Sequence, residues 1–336
     1  MLNTPCIHRR GRVVKSVSAV ICSQFLLIAA LPAGAADLNP TQVTEIRISN
    51  PDFSFLGGIG YIHLQGDELV YNNTGKKISH LIWKTDAPVL TATAKAVFDN
   101  DWTLAGNVMV GFSGNNRMKD YDWLMDPPAG YGSDAWSHRS IHPDTQLNRY
   151  ITADLALGHD FRLNETALLN LHGGFKYTNV KWDAYGGSYI YSRNEFRDDA
   201  GDIPDGERTI SYEQSYPTAF LGLEASKSFE QWTFSVQARG GLAFKSRDED
   251  HHWRRNLRFT EKYDGLAFMS VGARTEYAYT AQTSFFLAGN YERYFNKTAD
   301  TTMYNLTSGE VVEYFPDGAG MKFQSFSLSG GLKYRF

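Results

Sequence analysis

The chain has 336 residues, with 33 Lys+Arg against 37 Asp+Glu, two cysteines, and abundant Gly (30), Tyr (19), Phe (21) and Trp (7). An acidic balance argues against nucleic acid as a partner and for cationic ones. Cys6 and Cys22 both fall within the first 35 residues, so the rest of the chain has no disulfide, thiol catalysis or cysteine-ligated metal to call on.

Residues 1–35 read as a secretory signal peptide. Arg9, Arg10, Arg12 and Lys15 precede an apolar run from about Val17 to Leu31, and Ala33-Gly34-Ala35 supplies a small-residue cleavage site. Cleavage there removes four basic residues and no acidic one. The mature chain, 36–336, then carries 29 basic residues against 37 acidic ones, a formal net charge of −8. No later apolar run reaches the ~18 residues of a membrane helix. Apolar and polar residues instead alternate through the mature chain. The whole of 36–336 is expected to form a single transmembrane β-barrel, with one face of each strand on lipid and the other on the lumen.

In chain order the strands are expected at about 51–71 and 77–98, then at 102–113, where Trp102, Leu104, Val108, Val110 and Phe112 share a face. Further segments lie at 147–160, 166–192 and 206–228. Trp232, Phe234, Val236 and Leu242 mark the next, Met269, Val271 and Tyr277 another, and a ninth covers 283–297. The last is the clearest: Phe326, Leu328, Leu332, Tyr334 and Phe336 alternate with Ser325, Ser327, Ser329, Lys333 and Arg335. This makes ten antiparallel strands, an even number, as closure of a bacterial barrel requires. Short turns near 99–101, 163–165, 230–231 and 280–282 alternate with long segments at 114–146, 193–205, 249–260 and 298–317. The long ones are expected to be extracellular loops.

Two acidic stretches fall at that outer end. One holds Asp120 and Asp122; the other holds Asp248, Asp250 and His252. Spacing by two puts each set on one face of an extended chain, and an imidazole beside a carboxylate is a competent general base near neutral pH. Strict parity from Val108–Phe112 and from Phe234–Leu242, however, turns Asp120, Asp122 and Asp248 toward lipid. Either a bulge near Gly114 or Gly240-Gly241 resets the phase, or the strands rise clear of the membrane. Taken alone, such residues are more often a solvated loop cluster. His251 and His252 beside the aspartates also suggest metal ligands, but no HExxH helix accompanies them, and no metal is expected.

Further motifs stand in order: Asp120-x-Asp122-Trp123, His142-Pro143-Asp144-Thr145-Gln146-Leu147-Asn148, Gly186-Gly187-Ser188-Tyr189-Ile190-Tyr191-Ser192, Phe196-Arg197-Asp198-Asp199, Gly206-Glu207-Arg208 and Asp248-x-Asp250-x-His252. Together, from about Phe53 to Phe336, they resemble the omptins, outer-membrane endopeptidases of Gram-negative bacteria. The resemblance implies a ten-stranded barrel with a cleft at its outer rim. It implies an Asp250–His252 dyad that activates water, with Asp120 and Asp122 on the facing wall. Glu68 and Asp248 would form an acidic floor for a basic residue before the scissile bond, and His142 would be a secondary contributor to substrate binding. Substrates would be cationic peptides or host proteins. No cofactor is implied beyond lipopolysaccharide, on which the family depends. Here Lys176-Tyr177-Thr178-Asn179-Val180 and Glu213-Gln214-Ser215-Tyr216 lack the family's arginines. The rival reading is a barrel without catalysis, an adhesin or structural protein; a passive pore is a third.

Overall fold

The structure, a computed structural model, describes residues 52–336. The signal-peptide reading, both cysteines and residues 36–51 lie outside the described residues. Fourteen strand segments form one antiparallel sheet that closes on itself as a ring of ten staves. β1 (Asp52–Tyr71) and β2 (Lys77–Val97) are each one stave; β3 (Trp102–Gly111) continues as β4 (Asn115–Asp122). β5 (His138–His142) runs on into β6 (Asp144–Arg162), followed by β7 (Ala167–Tyr191) and β8 (Asp199–Phe229). β9 (Trp232–Ala243) continues as β10 (Ser246–His252), and β11 (Leu257–Tyr263) as β12 (Leu266–Ala278). β13 (Thr283–Asn305) and β14 (Val311–Arg335) complete the ring, and β14 pairs back onto β1 along its length. Closure leaves no edge strand, which is what a sheet inside lipid needs.

Alternation places an apolar belt on the outside. Ile59, Leu221, Val236, Leu242 and Leu328 are all exposed, bordered by Trp102, Trp232 and Tyr334 toward one end and by Tyr61, Tyr177 and Phe244 toward the other. The belt ends well short of the strand tips on the outer side. Segments read from sequence as long loops are largely strand there: β4, β5, β10, β11 and the ends of β8, β13 and β14 occupy much of 114–146, 193–205, 249–260 and 298–317. The longer irregular stretches left in these segments are 123–137, 192–198, 253–256 and 306–310. The sheet therefore continues as a rigid rim above the membrane, and the acidic stretches stand on paired strand.

The parity conflict is resolved by two bulges, and by the rise above the belt as well. Gly111 faces Val89 while Asn115 faces Asp86, so four steps along the third stave answer three along β2. Likewise Ala243 faces Thr218 while Arg247 faces Ser215. Each extra residue swaps inward for outward: Val108 and Val110 are exposed, yet Asn116 and Met118 are buried. The second bulge lies at Phe244-Lys245, where Lys245 has φ +50°, rather than at Gly240-Gly241. Gly114 is required at the first, because a Cβ there would lie 2.1 Å from the Asp86 carbonyl oxygen. Gly114→Val is accordingly expected to destabilise the barrel by about 1–3 kcal/mol, seen as a lower urea midpoint, and to reduce activity by displacing β4.

Inside, aromatic layers close the tube. Tyr216 stacks on Tyr294 at 4.1 Å between centroids, with Phe268 and Phe323 against them, and Trp83 stacks on both Trp182 and Tyr212 at 5.9 Å. Below the tyrosines the lumen is polar and ion-paired, Lys176 with Glu292 at 2.9 Å and Arg239 with Asp154 at 3.3 Å. Buried aromatic rings thus pack inside the bore between the rim and the polar lumen.

Candidate active site

The rim carries its chemistry on two walls. β4 and β10 lie four staves apart around a ring of ten, so they face each other across the mouth. After the bulges, Asp120 and Asp122 point inward from β4, and Asp248 and Asp250 from β10. His252 ends β10, its Nε2 2.5 Å from Asp250 Oδ2 and its ring edge-on to Phe259 at 5.3 Å. Asp250 is 1% exposed and stands at ion-pair distance from the ring, although neither of its oxygens meets hydrogen-bond geometry within the protein. Opposite, Ser79 Oγ donates to Asp120 Oδ1 at 3.3 Å. The Ser137 amide and hydroxyl both donate to the Asp122 carbonyl, which pins the 123–137 loop directly behind the aspartate pair.

Electrostatics ties the walls together. Burial raises the Asp120 carboxyl well above its ordinary value, and the adjacent Asp122 and then the more distant Asp250 add to the rise. Asp122 is also raised by burial, against the opposing influences of Ser79, His138, Arg255 and His252. The four sequence-predicted acid and base residues are thus brought to one cleft.

The floor lies between them. Glu68 enters from β1, and burial lifts its carboxyl well above the usual range, helped by the charges of Asp250 and Asp248. Asp248 accepts from Tyr212 OH at 2.7 Å and from Tyr263 OH at 3.3 Å, and burial raises it as well. Glu68 Oε2 and Asp248 Oδ1 are buried with no hydrogen-bond partner in the protein. Unpaired buried carboxylate oxygens are costly, and a cationic side chain entering between them would offset that cost.

Sequence reasoning missed one member of this floor. Glu261 faces Asp248 across the β10–β11 pair, is 6% exposed, and is raised first by burial and then by Asp248. Its signal was present but misassigned, since Glu261 and Tyr263 alternate with Lys262 just beyond a stretch that reads as loop. Tyr212 and Tyr263, which hold Asp248, were missed for the same want of a register. His142 is placed differently from the acids. It is 1% exposed, with Nδ1 2.5 Å from the Gly186 carbonyl oxygen and Nε2 3.0 Å from Ser140 Oγ. Burial lowers its pKa and favours the neutral ring. Register puts it on the inward face all the same, opposite buried Met118 and one inward pair below Ser140 and Asp120.

Known proteins share this arrangement of sequence and fold. The profile of the omptin family matches residues 49–336. Protease 7 of Escherichia coli K12 is 31% identical over 273 residues, covering 78% of this chain and 83% of that protein. The plasminogen activator of Yersinia pestis is 26% identical over 317 residues, covering 92% and 97%. Among solved structures, the outer membrane protease OmpT from Escherichia coli superposes with a TM-score of 0.80 at 26% identity, covering 87% of this chain and 99% of that one.

Proposed function

The chain belongs to the omptin family of outer-membrane proteases, and from that premise we propose that it cleaves peptide bonds following a basic residue, with His252 as the base. Asp250 holds Nε2 of the ring, so Nδ1 is the nitrogen that takes a proton from the attacking water. Asp250 keeps the tautomer and stabilises the imidazolium that forms. Asp120 and Asp122 orient the water from the opposite wall. Because their pKa values are raised, one of the two can retain a proton and donate to the developing oxyanion. The imidazolium then returns its proton to the leaving amine.

The observation that carries the specificity is the floor of Glu68, Asp248 and Glu261 with two unpartnered oxygens. A guanidinium offers paired donors to such oxygens, and cationic peptides or exposed basic segments of host proteins are the proposed substrates. An acidic cleft also draws them in over distances set by the ionic strength. Lipopolysaccharide is proposed as an activating lipid. The family's arginines are missing from 176–180 and 213–216, but Arg149 and Lys181 both reach Glu213 there on the outer wall, Lys181 at 3.3 Å.

The test uses protein refolded in detergent, with and without lipopolysaccharide, on a fluorogenic Arg-Arg peptide, with products identified by mass. Cleavage after Arg, stronger with the lipid and weaker at high salt, is the expected result. A folded barrel that cleaves under neither condition would favour the adhesin.

A further inference from the structure

The turn at the tip of the β10–β11 hairpin sets Arg254 and Arg255 beside the dyad, where Arg208 of β8 joins them, and two of the three are neutralised. Arg254 meets Glu207 at 2.9 Å, and Arg208 meets Asp183 at 2.6 Å while stacking over the Trp253 ring at 4.2 Å. Trp253 is itself tied down by its Nε1, which donates to Ser211 Oγ at 2.6 Å. Arg255, on the same single 3-10 turn (Trp253–Arg255), meets no carboxylate at salt-bridge distance among the described residues. Its guanidinium instead donates through Nη2 to Nδ1 of His252. Its charge also bears on Asp120 and Asp122 across the cleft.

This contact has a chemical consequence. With Nε2 on Asp250 and Nδ1 accepting from Arg255, neither ring nitrogen is free to receive a proton from water. Arginine is effectively always protonated, so it cannot relay one either. Arg255 has to leave His252 before the base can act. The turn that carries it is held by its neighbours, so the movement required is of one long, exposed side chain.

We infer that Arg255 is a specificity-determining residue: it caps the base in the free protein and selects peptides whose own carboxylate, near the basic residue, draws it away. This rests on the proteolytic reading above and adds a second, oppositely charged requirement to it. A peptide with a basic residue alone fills the acidic floor but leaves Arg255 on His252. One that also carries Glu or Asp within reach gives the guanidinium a better partner, since a carboxylate offers an opposite charge and two oxygens that match the planar fork, whereas the neutral imidazole offers one uncharged acceptor.

The experiment is a set of quenched peptides with one Arg and a single Glu placed in turn at each of the three positions on either side. Each is paired with its Gln counterpart. Wild type, Arg255→Gln and Arg255→Lys are compared, all refolded with lipopolysaccharide and checked for the folded barrel. Wild type is expected to prefer Glu over Gln at one or more positions by about 10-fold in kcat/KM. Arg255→Gln should bring that ratio to about 1 by cleaving the Gln peptides faster, with Arg255→Lys restoring part of the preference. The inference is overturned if wild type shows no Glu preference at any position, or if the preference survives in Arg255→Gln. A uniform loss of kcat on every peptide in Arg255→Gln, rescued by lysine, also overturns it and makes Arg255 part of the reacting centre. Failure of wild type to cleave any Arg peptide is a separate outcome: it removes the proteolytic reading, and this inference with it.

Discussion

His252→Ala is expected to cleave an Arg-Arg peptide roughly 10²–10⁴-fold more slowly than wild type, the range that a positioned general base supplies. Asp120→Ala is expected to fall by a comparable factor although it stands on the opposite wall. The two losses have different physical origins. Without His252, water has to be deprotonated by solvent, and Asp250 is left buried without its partner at 2.5 Å. Without Asp120, the base remains but the water loses its second anchor and the oxyanion loses a donor. Because both residues serve one transition state, His252→Ala/Asp120→Ala should be little slower than either single variant, as groups acting as a unit are strongly non-additive. An adhesin with idle acids predicts no such pattern, and independent sites predict that the losses multiply. The barrel should survive each change, because both residues sit on the rim above the belt, where the neighbouring staves keep their backbone pairing. Kinetics on protein verified as folded is the deciding measurement. Rates unchanged in both variants would place the chemistry elsewhere.

The membrane-facing part of this architecture was legible because lipid and lumen impose a strict two-residue period. Trp102–Phe112 and Phe326–Phe336 announce their exposed faces residue by residue. Above the belt that contrast disappears. From Ser246 to Asp250 the buried residues are Ser246, Asp248 and Asp250, and the less buried ones are Arg247 and Glu249. Polar alternates with polar, so a paired strand reads as a loop. The bulges were legible only as a contradiction in parity. Gly114 hinted at one of them, whereas Lys245 at φ +50° carried no recognisable signal. Glu261 and Arg255 depended on a further step. One is defined by cross-strand register with Asp248 and the other by the reach of a side chain across a turn, and neither is encoded in local spacing.

Asp248→Asn is expected to lower kcat/KM for an Arg peptide by roughly 30-fold to several thousand-fold, the equivalent of the 2–5 kcal/mol lost when one partner of a buried charge pair is removed. Glu261→Gln should act in the same direction. Both variants should also be more stable than wild type at neutral pH, and the sign comes from the raised pKa values. Glu68, Asp248 and Glu261 hold protons in the folded protein at pH values where the unfolded chain has released them. Stability therefore falls as pH rises from the ordinary carboxylate range through the raised values, and the full cost is present above both. An amide at position 248 keeps an oxygen for Tyr212 and Tyr263 but never ionises, so its urea midpoint should exceed that of wild type, by a margin that grows as pH rises through that window. Substrate binding has the opposite dependence. A guanidinium stabilises the ionised floor, so its entry releases protons and KM should fall with rising pH over the same interval. In Asp248→Asn that slope should flatten. Measured together, the two pH series separate a pocket built for a cation from a merely buried acid. A cation pocket gives opposed slopes that shrink together on substitution, whereas a structural acid alters the stability series and leaves the pH dependence of KM as it was.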